Sequence, residues 1–311
     1  MKTPHSRRNF IIRSGGVIGA GLLQGSILPS PAGAKENTGT IDLAVVQGDT
    51  ARAAARAIEL FGGMERFVRP NDTVLLKPNV SFPNPSRMGS TTSPELVKAV
   101  AEMAIKAGAV RVIVADNTMR DSAACFEATG IQAAFAGSEK AKIIPLDRES
   151  FFTEVEVPLG KALKKVMIAK LIGRCNVVIN LPCAKSHSAT EVSFGLKNLM
   201  GLIWDRQFFH TGTDLHVGIA ELATVIRPHL TILDASRALI TAGPTGPGKV
   251  QELRTVIAGT DPLAVDAYAV TLGAWNNRSL DARTVLHLSH AFTLGVGKID
   301  VTKMAVVKEC V

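Results

Sequence analysis

Cysteine is scarce in this chain, and the few cysteines present are not arranged in pairs. The sequence contains four, Cys125, Cys175, Cys183 and Cys310, and none belongs to a C-x-x-C motif. The spacings typical of zinc ribbons and ferredoxins are absent, which argues against an iron–sulfur cluster bound by this sequence. We therefore expect each cysteine to be a small, buried hydrophobic residue.

Aromatic residues are also few, at 5% of the chain, and no dense run of lysine and arginine is interleaved with them. This absence argues against nucleic-acid binding. The net charge is +8, but Lys2, Arg7, Arg8 and Arg13 lie in the N-terminal segment, so the rest of the chain is only mildly basic. Mild basicity favours small anionic ligands, although no Walker or Rossmann glycine pattern is present.

Long apolar runs are missing as well, because the apolar stretch over residues 15–28 is short and rich in glycine. It is a poor candidate for a membrane span. It follows the pair Arg7 and Arg8 and precedes a small-x-small sequence at 32–34. That order is typical of a twin-arginine signal, so residues 1–34 are predicted to direct export by the twin-arginine machinery to the periplasm or beyond. An uncleaved anchor and a flexible basic tail are the alternatives.

The remaining chain, residues 35–311, alternates strand-like and helical segments. Strands are predicted at 41–46, 73–76, 110–115, 142–146, 177–181, 230–233 and 255–258, and helices at 51–60, 94–108, 215–226, 262–272 and 281–290. This alternation predicts an α/β fold with a mainly parallel, Rossmann-like sheet and flanking helices. The sequence leaves open whether these residues form one body or two interlocked lobes that meet near residue 186.

The segment 176–201 is the richest in chemical groups. An apolar strand there is followed by Lys185, His187, Lys197 and Asn198. Open α/β sheets build ligand sites at the carboxyl ends of their strands. A histidine near two lysines tends to stay neutral and to serve as a base or ligand, and a desolvated lysine can become a nucleophile. We predict Lys185, His187 and Lys197 as catalytic residues and Asn198 as a binding residue. The alternative is that the lysines make fixed hydrogen bonds and His187 caps a turn.

A second cluster precedes the helix that starts at residue 94. Lys77 and Asn79 end a predicted strand, and Thr91, Thr92 and Ser93 stand just before the helix. Helix N-termini favour anions, so these residues are predicted to bind a phosphate or carboxylate, including that of a phosphate-bearing cofactor. An ordinary N-cap beside an exposed lysine is the alternative.

A metal ion is a further expectation. His210 and His187 are predicted as ligands, with His216 and Asp214 as additional donors. Arg206 is predicted to bind an anionic substrate or cofactor, or else to lie on the surface.

Three aspartates carry further expectations. Asp116 and Asp234 follow predicted strands, where catalytic carboxylates are often placed. Asp266 lies among apolar residues of a predicted helix and needs a partner, for which Lys197 or Lys77 is expected.

Several motifs, taken together, resemble the bacterial and archaeal family called domain of unknown function 362. They occur in the family's order at residues 76–79 (LKPN), 91–94 (TTSP), 178–182 (VINLP), 185–187 (KSH), 195–201 (GLKNLMG), 227–234 (RPHLTILD) and 261–266 (DPLAVD). The resemblance extends over residues 41–311. Some relatives carry an attached ferredoxin-like iron–sulfur module, which has no counterpart in this sequence.

The order of His187, Lys197 and His210 is also similar to that in the nickel-pincer lactate racemase family. This resemblance implies that Lys197 corresponds to the lysine joined to the pincer nucleotide. It also implies that His187 corresponds to a proton-transfer residue and His210 to a metal ligand.

The sequence thus leads us to expect an exported protein with a basic cleft for a small anionic ligand or a phosphate-bearing cofactor, acting as a Lys/His-dependent enzyme. A non-catalytic anion- or metal-binding protein, an accessory protein of an exported redox system, and a relative of the pincer racemases and isomerases are the alternatives. The substrate, the metal and the oligomeric state stay open.

Overall fold

A computed structural model describes residues 41–311, which form an α/β fold. The predicted export signal, residues 1–34, lies outside the described residues. Within residues 41–311, no helix is both long and apolar enough to cross a membrane.

Thirteen strands are found in the described part of the chain. They are β1 (Leu43–Gln47), β2 (Thr73–Pro78), β3 (Arg111–Val114), β4 (Ala141–Ile143), β5 (Phe152–Glu156), β6 (Lys165–Ala169), β7 (Val177–Leu181), β8 (Cys183–His187), β9 (Glu191–Ser193), β10 (Leu230–Leu239), β11 (Val250–Gln251), β12 (Thr255–Gly259) and β13 (Val306–Cys310). The main sheet has the order β13-β1-β12-β10-β7-β2-β3-β4. All neighbours along it are parallel except the pairs that include β12, so the predicted mainly parallel sheet is confirmed.

Helices cover both faces of this sheet. They are α1 (Thr50–Leu60), α2 (Pro94–Lys106), α3 (Ser122–Ala128), α4 (Ile131–Ala134), α5 (Leu171–Arg174), α6 (Gly195–Asn198), α7 (Arg206–Thr211), α8 (Leu215–Val225), α9 (Pro262–Val270) and α10 (Leu286–Thr293). Five of the helices begin at a side chain that accepts backbone N–H groups of the first turn, namely Asp49, Ser93, Asp121, Asp214 and Asp261. These caps explain why the sequence located the starts of α1, α2, α8 and α9 closely.

The alternation of side chains along the strands divides the core into two layers. In β7, Val177 and Ile179 pack in one cluster, with α1 and α2, whereas Val178 packs in the other, with α8, α9 and α10. Both faces of the central strands are therefore buried, as expected for a parallel sheet.

Three expectations about local structure need correction. β10 continues to Leu239, because β8 and β11 pair with its second half, so Asp234 lies inside a strand and not at its end. The last predicted helix begins at Leu286, five residues later than expected. Cys310 is exposed in β13, whereas Cys125, Cys175 and Cys183 are buried, and all four are free thiols.

Residue 186, near which a boundary between two lobes was left open, lies within β8. This strand pairs with β10 and β9 as part of the main sheet. All five residues of β8 are buried, including its lysine and histidine.

Candidate functional site

A buried ion pair lies where β2 and β3 end. Lys77 is the last residue but one of β2, and Asp116 follows β3. The Lys77 Nζ atom lies 3.0 Å from Asp116 Oδ1, and both side chains are almost completely buried. Nζ also donates to the Asn198 Oδ1 atom at 3.0 Å and to the Pro78 carbonyl at 2.6 Å. Burial lowers the pKa of Lys77 to about 8, against the opposing effect of Asp116.

Asn198 links this ion pair to Asn79, just after β2, and to Asn180 of β7. Its Oδ1 atom accepts hydrogen bonds from Lys77 and from Asn79 Nδ2, at 3.0 Å each. Its Nδ2 atom donates to the Lys77 carbonyl and to Asn180 Oδ1. The side-chain amide is thus used at both ends, which fixes α6 against β2 and β7.

The two glycines of the sequence GLKNLMG are explained by close approach. A Cβ atom at Gly201 would overlap the Asp116 carboxylate and the Lys77 ammonium group. A Cβ atom at Gly195 would lie 2.7 Å from Asp266 Oδ1. Only glycine lets the backbone pass so close to these polar groups.

Asp266 has a different partner from the one expected. Its two carboxylate oxygens accept hydrogen bonds from the backbone N–H groups of Gly195, at 2.7 Å, and Leu196, at 2.8 Å. The expectation of a lysine partner, Lys197 or Lys77, was wrong, because these two amides already satisfy the carboxylate. Burial raises the pKa of Asp266 to about 7. This contact holds the start of α6 and thereby positions Lys197.

Lys185 extends inward from β8 and contacts only neutral acceptors. Its Nζ atom donates to Asn79 Oδ1 at 3.0 Å and to the Ser90 carbonyl at 2.5 Å, and it lies 5.5 Å from the centroid of the Phe82 ring. Burial lowers the pKa of Lys185.

Lys197 has the poorest set of partners among the three buried lysines. Its side chain is 7% exposed, and its one hydrogen bond within the described residues is to the Met200 Sδ atom at 3.6 Å. Thioether sulfur is a weak acceptor. Burial lowers the pKa of Lys197 to about 7, and the positive charges of Arg206 and Lys185 contribute to that shift. A substantial fraction of this amine is therefore neutral near pH 7.

His187 and His210 face each other with complementary ring nitrogens. Their ring centroids lie 6.5 Å apart. His187 Nδ1 accepts the N–H of Ala189, so its proton is on Nε2. His210 Nδ1 lies 2.8 Å from the Arg206 carbonyl and must donate to it, so its Nε2 atom is an acceptor. Burial and the charge of Lys197 lower the pKa of both histidines, that of His187 to about 2.

Arg206 contributes a third cation without a carboxylate. Its guanidinium group donates to the Asn117 carbonyl and to Ser81 Oγ, and its buried Nε atom has no partner among the described residues. The predicted residues Lys185, Lys197 and Arg206 are close enough for their charges to affect one another's pKa values.

The phosphate or carboxylate site predicted before α2 is occupied by groups of the protein itself. The Ser93 N–H donates to Asp234 Oδ2 at 2.8 Å. The Thr92 hydroxyl donates to the Leu181 carbonyl and accepts the N–H of Asn79, and the Thr91 hydroxyl donates to the Asn84 carbonyl. An external phosphate would have to displace Asp234 from the Ser93 N–H. The hydrogen bond from the Asn79 N–H to the Thr92 hydroxyl instead holds Asn79 in place.

The larger metal site expected from three histidines and Asp214 is not formed. Within residues 41–311, no three side chains of histidine, cysteine, aspartate or glutamate are arranged to hold a metal ion. His216 stacks on His287, with centroids 6.1 Å apart, and Asp214 caps α8 through the N–H groups of residues 216 and 217. His187 and His210 are adjacent without a third ligand of these types in the described part.

His287 is a residue that sequence reasoning missed. It is completely buried in α10, and neither ring nitrogen has a hydrogen-bond partner among the described residues. Burial lowers the pKa of His287 to about 3, and the charge of Lys197 adds to this effect. A lone histidine in an apolar helix was the only available signal.

A surface groove of about 400 Å³ adjoins the site through the Phe82 ring, which contacts Lys185 on its inner side. The groove is lined by Phe82, Pro83, Asn84, Arg120, Asp121, Ala124 and Thr245.

Comparisons with known proteins agree with the motifs. Residues 74–271 match the model of the family described as Domain of unknown function (DUF362). A thylakoid-associated protein of Synechocystis sp. is 31% identical over 222 residues, which cover 67% of this chain and 65% of that protein, just under two thirds of its length. The structure of the lactate racemase apoprotein from Thermoanaerobacterium thermosaccharolyticum is similar with a TM-score of 0.46 and 14% identity, over 70% of this chain and 54% of that one. The family match covers well over half of the chain, which therefore belongs to the Domain of unknown function (DUF362) family.

Proposed function

We propose that this protein binds a small anionic ligand at Lys185, Lys197 and Arg206 and acts on it with Lys197 and the facing pair His187 and His210. The observation that carries the proposal is the absence of a carboxylate partner for these three cations. Among residues 41–311, none of the three forms a salt bridge, whereas the neighbouring Lys77 is paired with Asp116.

A buried charge without a counter-ion raises the free energy of the folded protein, by several kcal/mol for an isolated ion, and an oppositely charged ligand relieves this cost. Lys185 and Arg206 hold their positions through neutral acceptors, so their geometry does not depend on the ligand. A pre-formed set of cations with no internal counter-ion is suited to a carboxylate or phosphate.

The site also contains groups that can transfer protons. The amine of Lys197 is partly neutral near pH 7 and can act as a nucleophile or base. His187 offers an N–H and His210 a free ring nitrogen, so the facing pair can donate to and accept from a bound molecule. A phosphate-bearing ligand and a small carboxylate fit this arrangement equally.

The proposal is tested by titrating the purified mature protein with inorganic phosphate and with oxalate, using calorimetry and thermal unfolding at two ionic strengths. We expect saturable binding that weakens with salt. Lys185→Met and Lys197→Met should each weaken binding by about tenfold or more, which is the effect of losing one charge-assisted contact. The exposed Lys140 supplies a matched control, and Lys140→Met should leave the affinity unchanged. Equal affinities for all three variants would contradict the proposal.

We also propose that the protein acts after export. The support is the order of the Arg7 and Arg8 pair, the short apolar stretch and the small residues at 32–34. Replacing both arginines by lysine should retain the full-length chain in the cytoplasm on cell fractionation. Unchanged export of that variant would remove the support for the twin-arginine route.

A further inference from the structure

Lys197 differs from the other cations of the site in what its amine is free to do. Lys77 has a carboxylate at 3.0 Å, and Lys185 has two oxygen acceptors, so the protons of both amines are already engaged in contacts within the protein. Lys197 has one sulfur acceptor at 3.6 Å and is 7% exposed. Nothing in the described part of the chain fixes its proton or occupies its lone pair.

The position of Lys197 is nevertheless well defined. It lies in the short helix α6, whose first two N–H groups are held by the Asp266 carboxylate. The next residue, Asn198, makes four hydrogen bonds to Lys77, Asn79 and Asn180. A rigid backbone with a free, desolvated amine is the arrangement expected of a nucleophile rather than of a structural cation.

The surroundings also select what could react with this amine. Arg206 and Lys185 carry positive charge near Lys197, and neither forms a salt bridge among the described residues, although the charge of Asp116 acts on both. A reactant with its own carboxylate or phosphate would be attracted, and a cationic or neutral one would gain nothing from these groups. His187 Nε2–H can donate to an oxygen atom, and His210 Nε2 can accept a proton.

We infer that Lys197 forms an imine with the carbonyl carbon of a small oxo acid, meaning an aldehyde or ketone that also carries a carboxylate or phosphate group. This inference rests on the proposed anion-binding function and names its substrate class. The amine nitrogen attacks the carbonyl carbon, a C–N bond forms, and the nitrogen loses a proton while the oxygen gains one. The nitrogen gives up its second proton to the oxygen, the C–O bond breaks as the C=N double bond forms, and the oxygen leaves as water. One amine and one carbonyl give one imine and one water, with no change in oxidation state.

The low exposure of Lys197 has a further consequence for this step. Imines in bulk water hydrolyse readily, and a site that excludes water protects them. The buried amine is therefore placed where the adduct would persist long enough to be trapped by a hydride reagent.

The experiment is reductive trapping of the mature protein with glyoxylate and sodium cyanoborohydride, followed by peptide mass spectrometry. Glyoxylate combines an aldehyde with a carboxylate, and reduction leaves a stable carboxymethyl group on the lysine. At pH 7 we expect Lys197 to be labelled about tenfold or more faster than the exposed Lys140, because exposed amines are almost fully protonated there. Acetaldehyde, which lacks the carboxylate, should label Lys197 more slowly, and inorganic phosphate should protect it.

The Lys185→Met variant keeps the amine of Lys197 and removes one cation. It should retain trapping by acetaldehyde and lose most of the preference for glyoxylate, whereas Lys197→Met should lose the labelled peptide altogether. The circular dichroism spectrum and thermal unfolding of each variant establish that it is folded.

The possible failures are distinguishable from one another. Labelling of Lys197 no faster than Lys140, in a protein that still binds phosphate, would overturn the imine inference and leave the anion site standing. Absence of phosphate binding would overturn the proposed function itself. Equal labelling by glyoxylate and acetaldehyde would overturn the assignment to oxo acids.

Discussion

Lys77 and Lys197 are two buried lysines of the same site, and their surroundings are opposite. Lys77 sits against the Asp116 carboxylate at 3.0 Å and donates to two more oxygen atoms. Lys197 contacts one thioether sulfur and no carboxylate within the described residues. The difference separates two tasks: a lysine that ties strands together needs a full set of partners, and a lysine that reacts needs to lack them.

The same contrast extends to the groups around each lysine. Around Lys77, the Asn198 side chain is hydrogen-bonded to those of Asn79 and Asn180, and Asn180 Nδ2 donates to the Gly195 carbonyl. Around Lys197, both ring nitrogens of His287, one of His216 and the Nε atom of Arg206 have no partner in the described part of the chain. Buried polar atoms without partners are uncommon in proteins, which separates the surroundings of Lys197 from those of Lys77.

The largest effect on stability should come from removing the carboxylate that pairs with Lys77. Asp116→Ala leaves the Lys77 charge buried and also removes the acceptor of the Val80 N–H. We expect a loss of about 3–5 kcal/mol in the free energy of unfolding, measured by chemical denaturation. The exposed pair of Lys165 and Glu154 provides the control, and Glu154→Ala should cost less than about 1 kcal/mol. Similar losses in both variants would show that burial of the Lys77 pair is not decisive.

Removing Lys197, which has no carboxylate partner among the described residues, should raise the free energy of unfolding instead of lowering it. Lys197→Met replaces a buried amine without a counter-ion by an apolar chain of similar length. We expect the free energy of unfolding to rise by about 1–3 kcal/mol, because the desolvation cost of the charge disappears. Phosphate affinity should fall in the same variant. A destabilised Lys197→Met protein would indicate that Lys197 has structural contacts comparable to those of Lys77.

The stability difference between the wild type and Lys197→Met should depend on pH, because the pKa of Lys197 differs between the folded and unfolded states. Burial lowers the folded-state pKa of Lys197 from 10.5 to about 7. Between these values the unfolded chain holds the proton and the native protein does not, so the stability of the wild type should increase as pH rises. The advantage of Lys197→Met should therefore be largest below pH 7 and shrink toward pH 10. Lys77 is present in both proteins, so its own titration contributes equally to both stabilities and does not affect the difference between them. A stability difference that is constant from pH 6 to 9.5 would contradict the lowered pKa.

A smaller effect is expected at His287. His287→Leu removes two buried nitrogens that have no partner among the described residues, so stability should stay the same or rise by about 1 kcal/mol. His229 is the matched control, because its Nδ1 atom accepts the N–H of Val178 at 3.1 Å. His229→Leu should lower the midpoint of thermal unfolding. A larger loss of stability in His287→Leu than in His229→Leu would contradict the absence of hydrogen-bond partners for the His287 ring among the described residues.

The sequence predicted the frame of the fold better than its polar details. β7 was predicted with its observed ends because all of its residues except Asn180 are apolar, and the start of α2 was predicted because Ser93 and Pro94 form a typical helix start. β8 was missed as a strand because Lys185, Ser186 and His187 resemble loop residues. Their burial depends on acceptors contributed by distant segments, including Asn79 and the Ser90 carbonyl, which no local pattern reveals.

The site shows the same limit. The lysines and the histidine of the segment 176–201 were identified from their crowding beside a strand end. The sequence could not separate a paired lysine from an unpaired one, since that depends on where Asp116 and Asp266 lie. Asp266 was expected to pair with a lysine, and two backbone N–H groups serve it instead. The contrast between Lys77 and Lys197 therefore emerges only from the three-dimensional arrangement.

The most direct test of the proposed role of Lys197 is a measurement of its pKa. Competitive acetylation over pH 6–10, with quantification of each lysine peptide by mass spectrometry, reports the neutral fraction of every amine in the folded protein. We predict that the reactivity of Lys197 is half-maximal near its pKa of about 7, and that this pKa rises when inorganic phosphate is bound. The reference pKa of a lysine side chain in water is about 10.4. A pKa near 10.5 for Lys197, unaffected by phosphate, would contradict both the free amine and the anion site built around it.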